Sequence, residues 1–103
     1  MEQSKADVLT KDEILAFLRK HKPYLEKEFG VKKVALFGSY VRGEQTVTSD
    51  IDIAIETLSP SFRNRCNLKR FLESHLQRPI DLCYFNGMRS FIKHAIEKEL
   101  VYA

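Results

Sequence analysis

"LFGSYVRGEQTVTSDIDIAIE", Leu36 to Glu56, is the stretch whose reading decides the fold. An apolar run stops at Gly38-Ser39, a polar piece follows, and a second run, DIDIAIE, alternates almost strictly. Successive side chains of a strand point to opposite faces, so Ile51, Ile53 and Ile55 share one face and Asp50, Asp52 and Ala54 the other. Asp50 and Asp52 therefore project the same way, with Cβ atoms roughly 6–7 Å apart. Two acids this close repel unless a cation lies between them. Hard oxygen ligands on a rigid strand suit Mg²⁺, which completes its shell with water and substrate phosphates. Gly38 and Ser39 supply a complementary half. A strand-end glycine permits close backbone approach, and N–H groups at a helix start beside a serine hydroxyl form an anion site. Arg42, about one turn later, either adds a bidentate phosphate contact or fixes the loop by ion pairing. Taken singly, the Gly-Ser pair reads as a structural turn and the D-x-D as solvent-facing acids on an amphipathic edge. Their conjunction points to a phosphate-bearing substrate.

Working outward, Val31 to Phe37 (VKKVALF) reads as a first strand, Asp50 to Glu56 as a second, and Tyr40 to Ser49 as a short helix and loop. Upstream, Thr10 and Glu13 form a capping box, and Ile14, Leu15, Phe17, Leu18 and Leu25 recur at helical spacing. The spacing predicts a helix from Lys11 toward Phe29, stopped by Gly30, with a kink or break near Lys20 to Lys22 because Pro23 removes a donor. Downstream, a helix is expected from Phe62 to about Gln77, a third strand over Pro79 to Phe85, a closing amphipathic helix over Met88 to Leu100, and a short tail. Asp81, between Ile80 and Leu82, is costly in an apolar strand unless it serves a partner or a metal. If its strand pairs beside Asp50 to Glu56, it joins the other acids and takes the proton of an attacking hydroxyl. A strand-edge charge or a helix-capping group is the alternative. The order of elements describes a small α+β domain, an α/β sandwich with helices packed on a small mixed sheet.

With 103 residues, the chain is expected to form a single domain over 1–103. Its 44% hydrophobic and 30% charged residues fit a folded, soluble protein and leave no membrane span. The N-terminus does not read as a secretory signal, so a cytoplasmic location is expected. Cys66 and Cys83 lack metal spacing and read as reduced core or half-buried residues. His21, His75 and His94 are scattered along the sequence and read as surface or capping groups. A net charge of +3 does not by itself announce nucleic-acid binding, although Arg63, Arg65, Lys69 and Arg70 cluster. Those residues form either a solvated helix face or a surface for an anionic partner.

The run from Val34 to Glu56 resembles the signature of the polymerase β-like nucleotidyltransferase superfamily, a Gly-Ser step followed after a helix and loop by a D-x-D strand. With Arg42-Gly43 and Ser49 placed as they are, it is similar, more narrowly, to the minimal nucleotidyltransferases, the MNT or MntA-like group. Pro79-Ile80-Asp81-Leu82 fits that family's later strand with its third acid. Val41 stands where many members carry alanine. The resemblance implies that Gly38 and Ser39 bind the nucleoside triphosphate, that Asp50, Asp52 and Asp81 are catalytic and hold Mg²⁺, and that Arg42 and Ser49 support the nucleotide-binding loop. It further implies an antitoxin transferring AMP from ATP to a hydroxyl, expected to be tyrosine, of a HEPN-type ribonuclease toxin. So small a domain leaves little surface for a deep acceptor pocket, which agrees with a large partner. The competing readings are a non-catalytic antitoxin acting by occlusion, and a nucleotidyltransferase acting on tRNA or a small molecule. Without a stacking platform or a basic tail, nucleic acid is not the expected partner.

Overall fold

The computed structural model describes residues 9–58, 61–85 and 97–103. The first helix, α1, runs Lys11–Phe29. Its capping box is formed in both directions: the Thr10 hydroxyl accepts from the Glu13 N–H at 3.2 Å, and the Glu13 carboxylate accepts from the Thr10 N–H at 2.9 Å. Gly30 ends it in the left-handed conformation, φ 68°, donating its N–H to the Glu26 carbonyl. Of the kink or break expected near Lys20 to Lys22, the break does not occur; α1 is continuous through Pro23. Pro23 lies on the exposed side, while Ile14, Leu18 and Leu25 are buried around it. A helix-interior proline costs about 3 kcal/mol, and burying two leucines offsets it at about 1.5–3 kcal/mol each.

The sheet is mixed, in the order β3-β2-β1-β4. Strand β1, Val31–Phe37, leads through the one-turn helix α2, Ser39–Arg42, and a loop to its antiparallel neighbour β2, Ile51–Thr57. Helix α3, Phe62–Leu76, is capped by the Ser61 hydroxyl on the Asn64 N–H, and it crosses over to β3, Ile80–Tyr84, which pairs parallel with β2. The chain's last residues, expected as a tail, form β4, Val101–Tyr102, antiparallel to β1. Two residues are too few to show an alternation, and only the pairing with Ala35 and Leu36 makes them a strand. The closing helix expected over Met88 to Leu100 lies largely outside the described residues.

The alternation of each strand divides the core. One face of the sheet carries Val34, Leu36, Ile51, Ile53, Ile55, Ile80 and Leu82, which pack with the buried leucines of α1 and α3. The other carries a smaller cluster, Ala35, Phe37, Ala54 and Phe85. Burial at both faces explains why β2 is apolar at Ala54 as well as at its isoleucines. The basic cluster of α3 is not a uniform solvated face: Arg65 donates to the Leu82 carbonyl at 2.6 Å and ties α3 to β3. Lys69 and Arg70, with Cys66 and Glu73, line a cavity of about 210 Å³. Cys66 and Cys83 are free thiols of intermediate burial. His21 and His75, distant in sequence, are neighbours across α1 and α3 with ring centroids 5.9 Å apart, within a cluster containing Phe17 and Phe71. His94 lies outside the described residues. None of the described helices is long and apolar enough to cross a membrane.

Candidate active site

Pairing places the acids. Asp52 stands opposite Phe37 of β1 on one side and opposite Asp81 of β3 on the other. Since Ile51, Ile53, Ile80 and Leu82 all enter the main core, Asp52 and Asp81 are directed to the second face, where Ala54, Phe37 and Phe85 form the floor. The strand adjacency that the sequence left open is therefore the one that unites these two carboxylates. Asp50 lies one residue before β2 and is exposed.

The proximity of these carboxylates has an electrostatic signature. The Asp52 carboxyl is pushed up to about 6, first by burial, then by the Asp81 charge and a hydrogen bond with the Asp81 carboxyl, then by Asp50; Arg42 opposes the shift. Asp52 thus holds its proton more firmly than a free carboxyl does, facing Asp81 across a position that a hard cation would take. Cys83, two residues along β3, has its thiol pushed up by burial and by Asp81 and Asp52. Asp50 acts on Asp52 through its charge, yet among the described residues no group of three His, Cys, Asp or Glu side chains is gathered closely enough to hold a metal ion.

Gly38 closes the site from β1. Its backbone, φ 81° and ψ −153°, lies in a region open essentially to glycine alone. A Cβ there would stand 2.0 Å from Asp52 Oδ2, so the carboxylate occupies the space that a side chain would need. The turn that follows is built tightly. The Gly38 carbonyl accepts the N–H groups of Val41 and Arg42, and the Ser39 carbonyl accepts that of Glu44 at 2.9 Å. Gly43, at φ 74°, ends the one-turn helix. Ser49 closes the loop before β2, its hydroxyl accepting from the Thr46 N–H at 2.8 Å.

Of the two roles open to Arg42, the structure shows ion pairing. Its Nε donates to Glu44 at 2.9 Å and its Nη1 to Glu99 at 3.0 and 3.3 Å. Glu99 also accepts the Gly38 N–H at 2.8 Å. Neither glutamate was singled out from the sequence. Glu44 follows Arg42 by two positions, but Glu99 is separated from Gly38 by 61 and carries no local signal.

The nucleotidyltransferase domain family matches residues 18–103. The protein adenylyltransferase MntA of Thermococcus cleftensis is 38% identical over 96 residues, covering 92% of this chain and 97% of that protein. A Methanocaldococcus jannaschii protein, named as a candidate protein adenylyltransferase, is 42% identical over 95 residues, covering 90% and 97% respectively. A chain of a toxin–antitoxin crystal structure with AMP-PNP superposes with a TM-score of 0.67 at 26% identity, over 91% of this chain and 72% of that one. A candidate minimal nucleotidyltransferase gives a TM-score of 0.73 at 26% identity, over 86% and 92%.

Proposed function

This chain belongs to the nucleotidyltransferase domain family, and from that premise we propose that it is an antitoxin enzyme that transfers AMP from ATP to a hydroxyl, that of a tyrosine, on a HEPN-type toxin. The observation that carries the reading is the register Asp52↔Asp81 beside the Gly38 turn, two acids and a close-approach backbone on one face. The adenylyltransferase relatives support AMP transfer, and the toxin–antitoxin structure with AMP-PNP supports both the class of partner and the class of donor.

In this reading Gly38 and Ser39 receive the triphosphate beside Asp52, whose carboxylate packs directly against the Gly38 Cα. Asp52 and Asp81 would be the principal holders of Mg²⁺, with Asp50 joining them from the residue before β2. Their pairing across β2 and β3 and their hard-oxygen chemistry fit that ion. Bound there, the ion supplies charge stabilisation for the attacking and leaving oxygens. Asp81, more exposed than Asp52, takes the proton of the attacking hydroxyl as its oxygen bonds to the α-phosphorus. The bond to the bridging oxygen breaks, and pyrophosphate leaves along the Gly38-Ser39 turn. Arg42 and Ser49 keep that turn and loop in shape through Glu44, Glu99 and Thr46.

The test is intact-mass analysis of a HEPN-type toxin after incubation with this protein, Mg²⁺ and each nucleoside triphosphate. A gain of AMP units from ATP, absent with Asp52→Asn, is the expected result. A stable complex that neutralises the toxin without any mass change would replace transfer by occlusion.

A further inference from the structure

A carboxylate outside both β2 and β3 is built into the site. Glu99 Oε1 accepts the Gly38 N–H at 2.8 Å and the Arg42 guanidinium at 3.0 Å, so a single oxygen joins the first and last residues of the Gly38–Arg42 turn. The second oxygen accepts from the same Arg42 nitrogen at 3.3 Å. Gly38 also packs against Asp52, whose Oδ2 would stand 2.0 Å from a Cβ there. The orientation of the peptide between Phe37 and Gly38 decides where Ser39 stands relative to that carboxylate, and Glu99 is what its N–H bonds to. A hydrogen bond to a charged acceptor is the stronger kind, and here it is doubled by an ion pair from the same group. Arg42, meanwhile, is matched by two glutamates and has little charge left over for a phosphate.

We infer that Glu99 is a positioning residue for the nucleotide site: it holds the Gly38-Ser39 turn in its triphosphate-receiving shape by bridging the Gly38 amide to Arg42. This deepens the reading given above and rests on it. Glu99 arrives from the last residues of the chain, just before the strand that pairs with β1, so the C-terminal end completes the turn at the end of β1. Arg42 acts here as a strut, with Glu44 bracing its far side.

The test compares Glu99→Gln, which keeps an acceptor for the amide but loses the charge, with Glu99→Ala, which loses both. The first readout is the Gly38 amide resonance in a ¹⁵N-correlation spectrum; the second is the affinity for Mg²⁺ and a non-hydrolysable ATP analogue by calorimetry. Glu99→Ala is expected to move the Gly38 amide upfield and weaken nucleotide binding about tenfold, and Glu99→Gln to recover part of both. An unmoved amide with unchanged affinity in Glu99→Ala overturns the inference. Tighter nucleotide binding in that variant also overturns it, because Glu99 would then be a competitor for the phosphate position. Failure of the wild-type protein to bind any nucleoside triphosphate would sink the proposed function, while the amide shift would still decide whether Glu99 holds the turn.

Discussion

Gly38 and Asp52 occupy one another's space: a Cβ on Gly38 would lie 2.0 Å from Asp52 Oδ2 and 2.9 Å from its Cγ. The glycine is required twice, by its φ of 81° and by the carboxylate beside it. Gly38→Ala therefore carries backbone strain of about 1–3 kcal/mol and an overpacking cost of similar size. Truncating the carboxylate removes only the second. In an Asp52→Ala background the cost of Gly38→Ala should fall by about 1–3 kcal/mol, read by urea unfolding of the four proteins in a double-mutant cycle. Equal costs in both backgrounds would contradict the close approach.

A carboxyl raised from 3.8 to about 6 opposes folding when ionised. Its folded form binds protons more tightly than its unfolded form, so stability is highest below the unfolded value and declines as pH rises toward 6; above that the loss is complete. Asp52 is partly solvated, so screening reduces the effect to about 1 kcal/mol. Asp52→Asn should stabilise the metal-free protein by about that amount at pH 8 and have little effect at pH 4. Thermal melting of both proteins at the two pH values measures it, and an equal gain at both would show that the charge is not responsible.

If Mg²⁺ binds as proposed, the same pair sets the pH range in which it protects the fold. Mg²⁺ at ten times its dissociation constant contributes about 1.4 kcal/mol, and a proton on Asp52 competes with it. The melting temperature should rise with MgCl₂ at pH 8, and the rise should shrink as pH falls through about 6. Asp81→Asn should abolish the increment without lowering the metal-free melting temperature. A Mg²⁺ increment unchanged from pH 8 to pH 5 would place the ion away from these two acids.

Much of this was legible in the sequence because it depends on local pattern. The Thr10–Glu13 box, the Gly30 stop, the limits of β1 and the two faces of β2 each follow from a few neighbouring residues. The partnership of Asp52 with Asp81 was readable only as a condition, since strand order depends on how α3 crosses over. Glu99 and β4 were not readable at all. What defines them is a hydrogen bond across 61 positions and a pairing of two residues, neither of which leaves a period or a spacing. The nearness of His21 to His75 was hidden in the same way, by the packing of α1 on α3.

Pro23 shows the opposite failure, a strong local signal overridden by packing. Within α1 it lacks the N–H that would bond to the Arg19 carbonyl, and its ring crowds that carbonyl. Leu18 and Leu25, each nearly fully buried on either side, hold the helix together across the defect. Pro23→Ala restores the missing hydrogen bond and about 3 kcal/mol of helix preference, less about 0.4–1 kcal/mol because the unfolded chain gains freedom. The variant should therefore be more stable by about 2 kcal/mol in urea unfolding, with slower amide exchange over residues 19–25 and unaltered nucleotide affinity, since Pro23 is exposed and takes no part in the Gly38 turn. A variant less stable than wild type would mean that Leu18 and Leu25 reach the core together only because the proline bends the helix between them.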